Sequence, residues 1–392
     1  MLPPRPPSRH GRRPKVYVLN AQSPAAYRTE LLDRPFSLGR LTVRNRIAMA
    51  PMTREFSPGG VPGPNVARYY ARRAAGRVGL VITEGTYVGH ASAGTSGNVP
   101  RFHGDDALAG WARVADAVHA EGGAVIPQLW HVGMGRVPGT PPVPQAPAVG
   151  PSGVPLAGPG EGRSMTRSDI DDVITAFAVA AAAAEANNFD GIEIHGAHGY
   201  LIDQFLWSHT NRREDGYGGP IAARTRFAAE IVAACRQAVS PDFPILFRMS
   251  QWKVENYQAR LAETPQELEA YLTPLAEAGV DAFHCSTRRF WLPEFEGSDL
   301  NLAGWAKKLS GKATITVGSV GLDNEFLDVL KGERGGVTQN LDGLLERLER
   351  DEFDMVAVGR ALLGDPEWAA KILSGRTDEL TPVGPEKFAT LH

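Results

Sequence analysis

Two imidazoles and a phenol, His195, His198 and Tyr200, fall within six consecutive positions, with Gly196 and Gly199 between them. A neutral imidazole offers one N–H and one lone pair, and a phenol of pKa about 10 offers an O–H. Three kinds of chemistry use such a set. His-x-x-His can bind a metal; catalytic zinc takes about three protein ligands, and His131, Glu84 and His284 are the candidates to complete the set. The imidazoles can also take a nucleophile's proton, or polarise a bound substrate. Simple packing is the plain alternative for Tyr200.

The elements that must position these groups are legible as an alternation. From residue 31, short β-branched runs alternate with amphipathic helical stretches, the pattern of βα units and a parallel sheet. The runs are Arg46–Met52, Gly79–Val88, Ala124–Trp130, Gly191–Gly196, Pro244–Ser250, Asp281–Thr287, Ala313–Val320 and Asp354–Arg360. Helices are expected over Asn65–Arg77, Ala107–Glu121, from an N-cap at Ser168, and over Ile221–Val239, Thr264–Ala278, Leu302–Leu309, Glu325–Lys331 and Pro366–Leu373. Eight strands each followed by a helix is the count of a closed α/β (β/α)8 TIM barrel. A doubly wound sheet is the other option, but no Gly-x-Gly-x-x-Gly follows the first strand. The barrel is expected to fill residues 29–392 as one domain. The Pro- and Arg-rich segment 1–28 is read as a disordered tail or an over-extended start. Two insertions stand out: the Pro/Gly-rich loop Val132–Arg163, on the active-site face, and Gly335–Glu352, with a helix over Asn340–Arg350, on the opposite side.

In such a barrel the strand C-termini carry the chemistry. They read Pro51-Met52-Thr53, Glu84-Gly85, Gln128-Leu-Trp130, His195, Arg248, Gly318-Ser319 and Gly359-Arg360. The last two pairs suit a phosphate that wants close backbone N–H groups and a positive charge. Trp130 either lines a pocket or caps the barrel. Glu193, in register with His195, is expected to point inward and to need a partner such as an arginine. Asn211–Gly219 is polar enough for a site and equally suited to a loop that ties down the fourth strand's segment.

Five motifs in order resemble the Old Yellow Enzyme family of FMN-dependent ene-reductases: Asn45–Thr53, Gln128–Trp130, the His195–Tyr200 cluster with Gln204-Phe205, Asn211–Gly219 and Val358–Pro366. The resemblance implies FMN across the barrel mouth. Pro51, Met52 and Thr53 would contact the isoalloxazine, Gly85 would approach it by its backbone, and Gln128 and Arg248 would face its pyrimidine edge. Gly318, Ser319, Gly359 and Arg360 would hold the phosphate. It further implies that NADH or NADPH reduces the flavin. His195 and His198 would then hold the carbonyl oxygen of an α,β-unsaturated substrate, with Trp130 nearby and Tyr200 as proton donor. A desaturase running in reverse would use the same residues. The segment Phe247–Trp252 departs from the family pattern, so Trp252 is expected to reshape a rim. Substrate choice is assigned to it, to loop 132–163 and to Phe290-Trp291.

Composition narrows the field further. A net charge of −3 gives no electrostatic case for nucleic acid or an anionic membrane, and no apolar run is long enough to span a bilayer. Two cysteines, Cys235 and Cys285, in separate apolar segments exclude a disulfide framework or a four-thiolate cluster. They read as two small buried residues in a reducing cytoplasm, and the resemblance implies a small-molecule substrate as the partner. Oligomeric state is left open.

Overall fold

The computed structural model describes residues 29–156, 162–322 and 340–392. The tail 1–28 and the expected helix Glu325–Lys331 lie outside them. Eight parallel strands close a barrel in sequence order. They are β1 (Ile47–Met49), β2 (Leu80–Tyr87), β3 (Ala124–Trp130), β4 (Ile192–His198), β5 (Ile245–Lys253), β6 (Ala282–Ser286), β7 (Ala313–Val317) and β8 (Met355–Val358). β8 pairs back onto β1, which closes the ring.

The period-two alternation of a strand sorts the side chains into two cores. Outward residues such as Ile194, Phe247 and Phe283 pack with the helices in one large cluster. Inward residues Ala48, Leu80, Ala124, Leu246, Ala282, Ile315 and Met355 form a second cluster inside the barrel, and Leu41 and Val43 join it. Those two come from a hairpin, Phe36–Leu38 with Leu41–Val43, that the alternation of βα units did not announce. The lumen is thus apolar at the hairpin end. Toward the strand C-termini the inward positions turn polar, with Gln128, Glu193, Arg248 and His284 all buried.

The helices around the barrel include α1 (Pro64–Ala75), α2 (Asp105–Ala120), α3 (Arg167–Ala186), α4 (Leu201–Leu206) and α5 (Arg226–Ala238). α3 begins earlier than expected. Its N-cap is Thr166, whose hydroxyl accepts from Asp169 N while the Asp169 carboxylate accepts from Thr166 N, a full capping box that outcompetes Ser168. The expected helix Ile221–Val239 is interrupted at Thr225, and Pro366–Leu373 starts later, at Trp368. Within the second insertion the helix spans Leu341–Glu349.

Two strands outrun their expected ends. β4 continues through a register shift between Gly196 and His198, and β5 extends to Lys253 so that His198 pairs with Lys253. A bulge of this kind re-aims a side chain at a barrel rim. His198 sits at φ 66°, a left-handed conformation uncommon for a residue with a Cβ. Its neighbours hold it there: His198 N donates to Ser250 Oγ at 2.9 Å, and Val254 N donates to the His198 carbonyl at 3.2 Å.

Candidate active site

At the C-terminal mouth of the barrel lie a cavity of about 420 Å³ and a recess of about 100 Å³. They share Pro51, Thr53, His198 and Arg248. The cavity adds Met52, Gly318, Ser319, Gly359 and Arg360; the recess adds Gly85, Gln128, Trp130, His195 and Tyr200. Every residue expected to contact the cofactor or to bind or protonate the substrate therefore faces one of two adjoining spaces.

The recess is walled by rings. Tyr200, the N-cap residue of α4, stands edge-on to Trp130 at 4.8 Å and to His195 at 5.1 Å between centroids. His195 and His198 are perpendicular at 5.3 Å. Trp252 stacks on His198 at 4.4 Å. Burial, and then the charge of Arg248, hold both imidazoles well below the ordinary histidine value, so each is neutral at pH 7. Ala197 N points at His195 Nδ1 at 3.4 Å, a long contact that favours the proton on Nε2. Burial pushes the Tyr200 phenol up to about 12.

Beneath the recess the polar layer is wired across strands. Glu193 takes hydrogen bonds from Gln128 Nε2 at 2.7 Å and from His284 Nδ1 at 2.6 Å, and lies 4.0 Å from Arg248 Nη1. The expectation that Glu193 turns inward to an arginine is met, with Gln128 and His284 as its closer partners. Glu84 accepts from the backbone N–H groups of Arg54 and Glu55 at 2.8 and 3.1 Å, pinning the turn that carries Thr53. His131 Nε2 and His90 Nδ1 share a hydrogen bond of 2.9 Å. The residues proposed to complete a metal set with His195 and His198 are thus committed to other partners. No metal-binding group of three or more such side chains occurs among the described residues.

Other expectations are corrected. Phe290 is fully buried and gives its carbonyl to Asn301, and neither it nor Trp291 lines either space. The described part of loop 132–163 lines neither space. It packs behind Tyr200, where Met134 N donates to Gln204 Oε1 at 3.0 Å and Gln204 Nε2 donates to Gly199 O at 2.7 Å. Asn211 donates to the carbonyls of Phe205 and Tyr217, the tie-down role. Sequence reasoning passed over Ser286, which ends β6 and lines the cavity. The signal was available: β6 was the one strand to whose C-terminal end no functional residue was assigned.

The model of the NADH:flavin oxidoreductase / NADH oxidase family matches residues 32–379. The chain belongs to this family. It is 36% identical over 354 residues to the NADH oxidase of Thermoanaerobacter brockii, covering 88% of this chain and 50% of that one. It therefore spans about half the length of that relative. It is 31% identical over 362 residues to 12-oxophytodienoate reductase 7 of Oryza sativa subsp. japonica, covering 86% of each. A solved structure of morphinone reductase in complex with tetrahydroNAD aligns with a TM-score of 0.76 at 27% identity, over 91% of this chain and 93% of that one. The Old Yellow Enzyme resemblance and the TIM barrel are both upheld.

The residues present fit a flavin. Arg248 is buried, yet its Nε and Nη1 have no hydrogen-bond partner, so a guanidinium at the mouth is left needing an acceptor. With Gln128 Nε2 spent on Glu193, its Oε1 remains as an acceptor, near Gly85. A Cβ on Gly85 would come within 2.7 Å of the Trp130 ring, so only glycine fits there. A Cβ on Gly318 would strike Thr287 at 2.5 Å. Ser319 Oγ donates to Arg288 O and accepts from Arg360 Nη2 at 3.3 Å, bringing a hydroxyl and a cation to one wall of the larger cavity.

Proposed function

We propose that the chain is an FMN-dependent ene-reductase that takes reducing equivalents from NADH or NADPH and reduces an activated alkene, an α,β-unsaturated carbonyl compound or a similar electron-poor olefin. One observation carries the reading: neutral His195, neutral His198 and protonated Tyr200 converge on a recess floored by the buried Arg248 and continuous with the larger cavity. Pro51, Met52, Thr53, Gly85, Gln128 and Arg248 would hold the flavin ring, and Gly318, Ser319, Gly359 and Arg360 its phosphate. When bound, FMN supplies reversible two-electron storage, accepting hydride from a nicotinamide and giving it to the substrate β-carbon.

The chain's own residues do the rest. His195 and His198 hold the substrate's carbonyl oxygen between two N–H donors. Charge builds on that oxygen as the alkene is reduced, so fixed donors in a buried recess lower the transition state more than the ground state. Neutral imidazoles suit the task because they stay donors without competing for a proton. Tyr200 gives its phenolic proton to the α-carbon, and burial keeps that proton in place until the carbon becomes basic. Arg248, which stays protonated, offers a fixed positive charge to a ring that gains negative charge on reduction. Trp130 and Trp252 limit water around these groups.

The test is direct. Purified protein should be yellow, bleach with NADH or NADPH under nitrogen, and regain colour when cyclohexenone is added. A protein that takes up no FMN, or a bleached protein that cyclohexenone leaves colourless, overturns the reading.

A further inference from the structure

We infer that Ser286 sets the tautomer of His198, and so commits that side of the recess to substrates that present an oxygen acceptor. The inference rests on the proposed role of His198 in holding substrate, and it assigns a positioning role to a residue outside the five family motifs.

Ser286 Oγ lies 2.8 Å from His198 Nε2 and 3.4 Å from Arg248 Nη2. A guanidinium can only donate, so Oγ accepts from Arg248. Ser286 is 3% exposed, and its hydroxyl has no other acceptor within hydrogen-bond distance among the described residues. If His198 carried its proton on Nε2, Oγ would accept twice and its own hydrogen would have no acceptor among the described residues. If Nε2 is bare, the hydroxyl donates to it, and both the hydroxyl hydrogen and the Nε2 lone pair are satisfied. The chain Arg248–Ser286–His198 then runs in one direction, and the cationic donor polarises the hydroxyl it feeds. The ring is neutral, held so by burial and by Arg248, so its single proton belongs on Nδ1.

The ring is also kept from exchanging its two nitrogens by rotation. Trp252 lies against it at 4.4 Å with 28° between the planes. Trp252 Nε1 in turn donates to the Ser286 carbonyl at 3.2 Å, and Ser250 Oγ, which receives His198 N, donates to Trp252 O at 2.8 Å. This clamp is built from the Phe247–Trp252 segment that departs from the family pattern. With Nε2 engaged, Nδ1 is the nitrogen left for a ligand. An Nδ1–H welcomes a carbonyl, nitro or carboxylate oxygen and discriminates against a group that can only donate. The opposite tautomer would set a lone pair against the substrate oxygen.

The experiment is ¹⁵N NMR of histidine-labelled full-length protein at pH 7.5, with the His198 signals assigned by their loss in His198→Asn. The expected result is a protonated Nδ1 and an unprotonated Nε2 at His198. A protonated Nε2 in the wild type overturns the inference, whether or not any variant folds. In Ser286→Ala the proton should move to Nε2 or divide between the two nitrogens, and Ser286→Thr should restore Nδ1–H. The apparent Kd for cyclohexenone in the flavin-loaded Ser286→Ala variant should rise roughly tenfold, the value of about one hydrogen bond. An unaltered tautomer in Ser286→Ala also overturns it. The NMR readout needs neither flavin nor turnover, so it separates failure here from failure of the ene-reductase reading.

Discussion

Tyr200 divides the proposed cycle into separable halves. Its phenol is asked to act only when the alkene is reduced, whereas the transfer from nicotinamide needs no proton from it. Tyr200→Phe should therefore slow reoxidation by cyclohexenone by roughly 10²–10⁴-fold, the usual worth of a positioned general acid. Reduction by NADH or NADPH in the same stopped-flow instrument should change little. Equal losses in both halves would assign the ring to packing against Trp130 and His195. The pH profile follows from the same burial. In the proposed cycle the acid form of Tyr200 is the active one, and its pKa is pushed up to about 12, so no alkaline limb should begin near pH 10. The histidines are held well below their ordinary value and stay neutral, so no break should appear near pH 6.5 either.

At the scale of elements, the site depends on the joint between β4, β5 and α4. Lys253 and Asp203, both fully buried, meet at 2.8 Å, and Asp203 Oδ2 also accepts from Gly199 N at 2.6 Å. Burial raises the Asp203 carboxyl and lowers the Lys253 amine, so desolvation opposes the pair while their contact sustains it. Removing one partner strands the other: Asp203→Asn or Lys253→Met should each cost about 3–5 kcal/mol in urea denaturation. Asp203→Leu with Lys253→Met should recover part of that loss. Single variants as mild as those of an exposed ion pair would show the joint to be solvated. This joint was hidden in the sequence for a physical reason. Strand positions follow from local β-branched patterning, so Ala124–Trp130 was legible to the residue, and the His195–Tyr200 cluster announced itself by composition. The partners that orient it, Ser286 on His198, His284 on Glu193 and Lys253 on Asp203, lie 50 to 91 residues away along the chain. No local pattern encodes such pairings. The extended ends of β4 and β5 were missed likewise, because the bulge at Gly196–His198 depends on what β5 offers beside it.

For the whole molecule, the consequence of the barrel is that one alternation governs both the helix-packed layer and the chemistry. β6 shows this most compactly. Phe283 and Cys285 face the helices, while Ala282 joins the inner apolar cluster and His284 and Ser286 serve the polar layer above it. A slip of one residue would exchange the faces, turning Cys285 to the mouth beside Arg248 and sending Ser286 into the outer core. The two thiols report which arrangement holds. Cys235 on α5 and Cys285 on β6 are both free and fully buried, and burial pushes the Cys235 thiol up to about 12 and raises that of Cys285 as well. A thiol that is neither ionised nor reachable does not react. Native protein should therefore show no fast-reacting thiol with Ellman's reagent at pH 8, and two should appear after denaturation in guanidinium chloride, matching the two cysteines of the chain. One fast thiol in the native state, lost in Cys285→Ser, would mean that Cys285 faces the cavity. That result would displace Ser286 from His198, and the register of β6 would have to be redrawn before any role at the mouth could stand.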